Sequence, residues 1–234
     1  MAAVRRLLPA ALLLLTGSAL LRVSLLGNLY LRYVKEGLRP ALIASGIVLV
    51  LLALVTAVRG IRPDEDEHDG HAHSAAGPRA AWLLALPAAM LLLFAPPALG
   101  SYTVARDGSG VIAKRTTFPA LPAQDPVPLS LTDFAGRAVW DGSQSLKGRT
   151  VRLTGFVTPV GATTWQLSRI IVSCCAADAR VVKVEIHGLP APATDTWVTV
   201  TGVWRPGTAT PALDATAMTP VARPDRPYRD TPQP

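Results

Sequence analysis

Cysteine is nearly absent: the chain has two in 234 residues. That excludes a disulfide framework and a zinc site built of thiolates alone. No G-x-x-x-x-G-K-[ST] run is present, so the chain has no phosphate-cradling loop of that kind, and any ATP-driven work belongs to another chain. Charge is sparse at 17% of residues, yet Lys and Arg exceed Asp and Glu and leave a formal net charge of +7. A basic balance raises the question of nucleic acid. The basic residues are mostly scattered arginines, and no run of them alternates with aromatics, which argues against a nucleic-acid partner. A membrane protein with basic loop ends has the same balance.

Apolar residues, by contrast, make up half the chain and crowd its first hundred positions. Three segments approach the ~20 residues that a helix needs to cross a bilayer. Residues 7–26 are apolar except for Arg22 and follow Arg5 and Arg6. A secretory signal peptide competes with this reading, but the apolar run is long for one and lacks a clean small-residue cleavage site. Residues 40–58 carry no charge and are closed by Arg59 and Arg62. Residues 80–99 contain Pro87, which a membrane helix tolerates better than a soluble one, with Trp82 and Tyr102 near its ends. Three retained spans predict a multi-pass protein of the cell membrane, in contact with the lipid bilayer, with its termini on opposite sides. Flanking Lys and Arg nearly tie between the two orientations. The Thr-, Pro- and Ala-rich C-terminal region favours an extracytoplasmic C-terminal domain.

Between the second and third expected spans, residues 62–78 read RPDEDEHDGHAHSAAGP. The stretch has no apolar period and predicts a disordered connector. His68, His71 and His73 among its carboxylates are a candidate weak metal-gathering set, because imidazole and carboxylate both bind Zn²⁺, Ni²⁺ or Cu²⁺. The plainer reading is a solvated loop that separates two hydrophobic spans.

Residues 101–128 are rich in Pro and Gly and read as a linker. Ser130-Leu-Thr-Asp133 resembles a capping box and predicts a short helix over residues 134–140. Period-two alternation then marks strands at 150–157, 164–173, 181–186 and 196–204, with a weaker fifth at 212–219. Gly155 and Gly202 follow alternating β-formers in TVRLTGFV and WVTVTGVW, the place for a bulge or the tight bend of a small barrel. The expected fold is therefore α-helical membrane spans (three) followed by an all-β C-terminal domain over residues 129–221, an OB-like small barrel, with a small sandwich as the alternative. Residues 222–234 read as a disordered tail.

Both cysteines stand side by side in RIIVSCCAADAR, where the second strand gives way to a turn. In an unbroken strand neighbouring side chains point to opposite faces, so Cys174 and Cys175 can cooperate only if the backbone leaves the strand at Cys174. Three readings stay open. The thiols can be packed as small hydrophobes. They can form a strained vicinal disulfide, since adjacent Cα atoms are ~3.8 Å apart, short of the usual disulfide span. Or they can capture Zn or Cu with Asp178 as a third ligand. His187, at the end of the third strand, is the one histidine of this domain, and a thiol enzyme would need it as a base, but nothing marks an oxyanion site.

The order of apolar spans, His/acidic loop, GFV, RIIVSCCAADA and WVTVTGVW resembles the YcgQ-like family of two-component permease subunits, whose signature is CC-x-ADA. The resemblance covers nearly the whole chain, and the pattern at Cys174, Cys175, Asp178 and Ala179 is intact. It implies a non-enzymatic accessory subunit beside a larger multi-spanning permease, and a functional rather than a packing role for the cysteine pair. A membrane-anchored ligand-binding module without a permease is the alternative, and a thiol-dependent enzyme the second.

Overall fold

The computed structural model describes residues 2–61, 89–90, 93, 99–106, 112–161 and 164–232. The chain divides into two compact units at the junction of Ala98 and Leu99.

The first unit is helical. Helix α1 (Ala2–Leu25) is followed by two 3-10 turns (Leu29–Arg32 and Glu36–Leu38) and helix α2 (Arg39–Ile61). Gly27, at φ 86°, turns the chain after α1 in a conformation that costs an L side chain strain. The helices come close at two glycines. A Cβ on Gly17 would stand 3.0 Å from the Gly46 carbonyl oxygen, and one on Gly46 would stand 2.8 Å from Leu21 Cγ. Small residues at such a crossing let two apolar helices pack backbone to backbone. Arg39 tethers the connection, with Nε donating to the Ser24 carbonyl at 3.1 Å and its guanidinium 5.4 Å from the Tyr30 ring.

Much of the rest of α2 is exposed and apolar, including Ile47, Leu51, Leu54 and Val58. A helix that presents apolar side chains outward in this way suits lipid rather than water. Among the described residues one helix, Glu36–Val58, is long and apolar enough to cross a membrane. Three had been expected. The first expected span, 7–26, survives as the shorter apolar helix Pro9–Leu25. That stretch is the apolar part of α1, and Arg22 lies inside it. Most of the third, 80–99, lies outside the described residues, as do His68, His71 and His73.

The second unit begins at Leu99, not at residue 129, because the expected linker belongs to it. Helix α3 (Ser101–Arg106) is capped by Asp195, whose carboxylate accepts the Ser101 amide at 2.8 Å and hydroxyl at 2.7 Å. Strand β1 (Val127–Pro128) pairs in parallel with β2 (Thr150–Pro159). Arg149 donates to the carbonyls of Pro122 and Gln124. Helix α4 (Leu131–Trp140) starts three residues before the expected 134, directly after the capping serine, with Ser130 Oγ accepting the Asp133 amide at 3.0 Å.

The remaining strands are β3 (Trp165–Ile171), β4 (Arg180–His187), β5 (Trp197–Arg205) and β6 (Ala212–Pro220). They form one six-stranded sheet in the order β1-β2-β3-β4-β6-β5, with β5 pairing back onto β2. Besides its parallel pairing with β1, β2 serves two antiparallel partners, β5 over Thr150–Phe156 and β3 over Phe156–Pro159. β4 and β6 run parallel, and the other pairings among β2–β6 are antiparallel. Both in-strand glycines sit where another backbone comes close. A Cβ on Gly155 would be 2.8 Å from the Ser168 carbonyl oxygen. Gly202 lies at a register shift between β5 and β6, where a Cβ would collide with the Asp214 carbonyl and stand 2.9 Å from Ala215 Cα.

The main core takes the alternate residues of each strand, among them Val182, Val184 and Ile186 of β4 and Val198 and Val200 of β5, together with Leu131 and Phe134 of α4. A second cluster joins Val104 of α3, Phe156, Ile170, Val181 and Tyr228. Tyr228 corrects a further expectation: the segment expected to be a disordered tail is placed through residue 232, with Tyr228 only 8% exposed. Its prolines and charges carry no periodic signal, and its order comes from contacts with β3 and α4.

Candidate functional site

β3 ends at Ile171 and β4 begins at Arg180, and these two residues face each other across the ladder. Residues 172–179 are therefore the loop of a β3–β4 hairpin, with both cysteines in it. Asp178 gives the loop its shape. Its Oδ1 accepts the Ser173 amide at 2.8 Å, and its Oδ2 accepts the Cys174 amide at 2.7 Å. The Asp178 amide in turn donates to the Cys175 carbonyl at 3.0 Å, which starts a 3-10 turn over Ala176–Asp178. An aspartate that collects backbone amides in this way competes with the strand ladder and ends it.

The break brings the thiols together. Cys174 Sγ and Cys175 Sγ lie 3.7 Å apart, both as free thiols, with Cys174 exposed and Cys175 half-buried. The separation is far longer than an S–S bond of ~2.05 Å. It matches the ~3.8 Å between two thiolates on a tetrahedral Zn²⁺ with Zn–S bonds of ~2.3 Å. The spacing fits two positions of one metal.

Asp178 does not complete a ligand set. Its two oxygens are engaged by backbone amides, and it also bonds the Cys174 thiol. Among the described residues no group of three or more His, Cys, Asp or Glu is gathered to hold a metal ion. The expected trio of Cys174, Cys175 and Asp178 is therefore two sulfurs and a carboxylate that shapes their loop. The electrostatics follow. The hydrogen bond to Asp178, and then the one to Cys175, push the Cys174 thiol up to about 11. The same bond to Cys174, with the Ser173 amide next, holds the Asp178 carboxyl down at about 2.

His187 is not part of this site. It closes β4, about 23 Å of strand away from Arg180 at the loop, and its Nε2 lies 3.2 Å from Glu185 Oε1. No thiol–imidazole pair forms there.

One buried ion pair escaped the sequence reading. Arg169, inside β3, has a fully buried side chain, and its Nε lies 3.4 Å from Asp230 Oδ1. Burial lowers its pKa, and Asp230 opposes that shift. An arginine in the apolar run LSRIIV was the available signal, since a charge there needs a partner. The partner lies far along the chain, in a segment with no pattern of its own.

Over residues 138–229 the chain matches the family model described as the DUF1980 C-terminal domain, from the end of α4 through β6 to Arg229, with the thiol loop inside the match. No curated protein matches the chain.

Proposed function

We propose that this protein is an integral membrane accessory subunit of a permease, whose β-domain is an OB-like small barrel presenting Cys174 and Cys175 as a soft-metal or redox-responsive site. The barrel reading is supported by the circuit of pairings from β2 through β3, β4, β6 and β5 back to β2. One observation carries the site: two free sulfurs 3.7 Å apart on an open hairpin loop. Two thiolates fill half of a tetrahedral shell for Zn²⁺, and a partner chain or the cargo supplies the rest; Cu⁺, which favours thiolate, is the other fitting ion. The membrane role rests on the apolar helix Glu36–Val58 and, for a multi-pass chain with an extracytoplasmic β-domain, on the spans read from sequence. The permease rests on the family resemblance.

Titrating Zn²⁺ or Cu⁺ into the full chain in detergent tests the site. Cys174→Ser and Cys175→Ser are each expected to abolish tight binding. Asp178→Asn is expected to weaken it, because the loss of the loop's shape outweighs the easier loss of the Cys174 proton. Serine variants that bind as well as the parent would overturn the reading. Co-purification of a multi-spanning partner separates the accessory subunit from a module that acts alone.

A further inference from the structure

We infer that the C-terminal segment 226–230 is a brace that positions the dithiol loop, with Asp230 and Arg169 as its positioning residues. The inference rests on the dithiol reading above for its functional meaning and on contacts within the β-domain for its geometry.

β2 pairs with β3 only as far as Ser168. Arg169, Ile170 and Ile171, which lead into the loop, pair with β4 on one side and, among the described residues, with no strand on the other. The C-terminal segment takes that side. The Tyr228 carbonyl accepts the Val172 amide at 3.3 Å, and the Arg229 carbonyl accepts Arg169 Nη2 at 2.9 Å. Tyr228 packs with Ile170 and Val181, one on each strand that feeds the loop. Its hydroxyl donates to the Leu99 carbonyl at 3.3 Å.

Asp230 locks this arrangement. Its Oδ1 receives the Leu131 amide at 3.2 Å and faces Arg169 Nε at 3.4 Å. Its Oδ2 receives the Thr132 amide at 2.7 Å and hydroxyl at 2.6 Å. One carboxylate thus caps α4 and neutralises a buried guanidinium, which also stacks 4.9 Å from the Trp197 ring. A buried arginine holds only one position when its partners are fixed, because an unpaired charge cannot relax into water. The loop is consequently gripped twice: by Asp178 across its mouth, and by the segment at its root, two residues before Cys174. Release of the root frees Val172, and with it the backbone that sets the sulfur separation.

The test uses the full chain in detergent, with amide hydrogen exchange, Zn²⁺ affinity and thermal unfolding measured on the same samples. Asp230→Asn is expected to speed exchange at Val172, Ser173 and Cys174 by about tenfold or more relative to β5, the signature of local rather than global opening, and to weaken Zn²⁺ binding by a similar factor. Asp230→Glu is expected to restore part of both. Tyr228→Leu leaves the ion pair intact and removes the ring, so it should open the same three amides even if the Asn variant fails to fold. Exchange that stays unchanged at those amides, or rises equally across all strands, overturns the brace. Local opening with Zn²⁺ affinity insensitive both to Asp230→Asn and to the serine variants supports the brace and overturns the dithiol reading instead.

Discussion

Cys174 holds its proton because Asp178 sits against it: a thiolate beside a carboxylate loses a hydrogen bond and meets a like charge. With its pKa near 11, alkylation of Cys174 should be slow at neutral pH and climb until about pH 11. Asp178→Asn removes the opposing charge and should speed alkylation at pH 8, read by mass spectrometry of the labelled peptide. Metal capture needs the thiolate, so affinity should rise with pH over a range well above the ~8.5 of an ordinary cysteine. The carboxylate has the opposite sign. Its pKa falls from 3.8 to about 2, so its grip on the loop is complete above about pH 4 and is lost as pH falls through about 2. Loop amides should therefore stay protected at pH 4 and open near pH 2. At the same scale, Asp230→Ala strands the guanidinium of Arg169, whose side chain has no exposure. Such a deletion costs about 3–5 kcal/mol, measurable as a lower denaturant midpoint.

Among the elements, β5 and β6 show how one residue type was readable while its partner was not. WVTVTGVW announces both a strand and an irregularity at its glycine. The structure supplies the reason, because β6 shifts register there and its backbone occupies the space of a side chain. Gly202→Ala should cost about 1–3 kcal/mol, as overpacking does, and should loosen the β5–β6 pairing first in hydrogen exchange. The N-terminus of α4 was legible for a local reason: a Ser three residues before an acidic side chain predicts its own hydrogen bond. The second cap on that helix, Asp230, lies 98 residues from Thr132 and leaves no local trace.

For the whole molecule, the boundaries of the β-domain have a measurable consequence. A fragment of residues 99–232 contains α3, β1 and the C-terminal segment, and should unfold cooperatively on its own. A fragment of residues 129–221, the domain as alternation alone would cut it, lacks Val104, Val127, Tyr228 and Asp230, all of which pack against it. It should melt at a lower temperature or fail to fold, as circular dichroism would report. Reporter fusions after Gly77 and after Gly148 should fall in opposite compartments if the chain crosses the membrane between them, and matching compartments would sink the three-span topology.

The sequence by itself determined what depends on neighbours in the chain. The uncharged apolar run 40–58 makes most of the helix Glu36–Val58, period-two alternation makes the strands, and Ser130 begins α4, since each of these is decided within a few residues by side-chain transfer and backbone hydrogen bonding. Tertiary structure alone decided which edges meet and where the thiols point. β5 returns to β2 across more than forty residues, and Tyr228 and Asp230 find the bare edge of β3 from a segment with no period. The sulfurs share one side because the Asp178 carboxylate outcompetes the next rung of the ladder. Adjacent cysteines in a strand-like run are silent on that point, because their side chains diverge or converge according to hydrogen bonds that only the folded hairpin supplies.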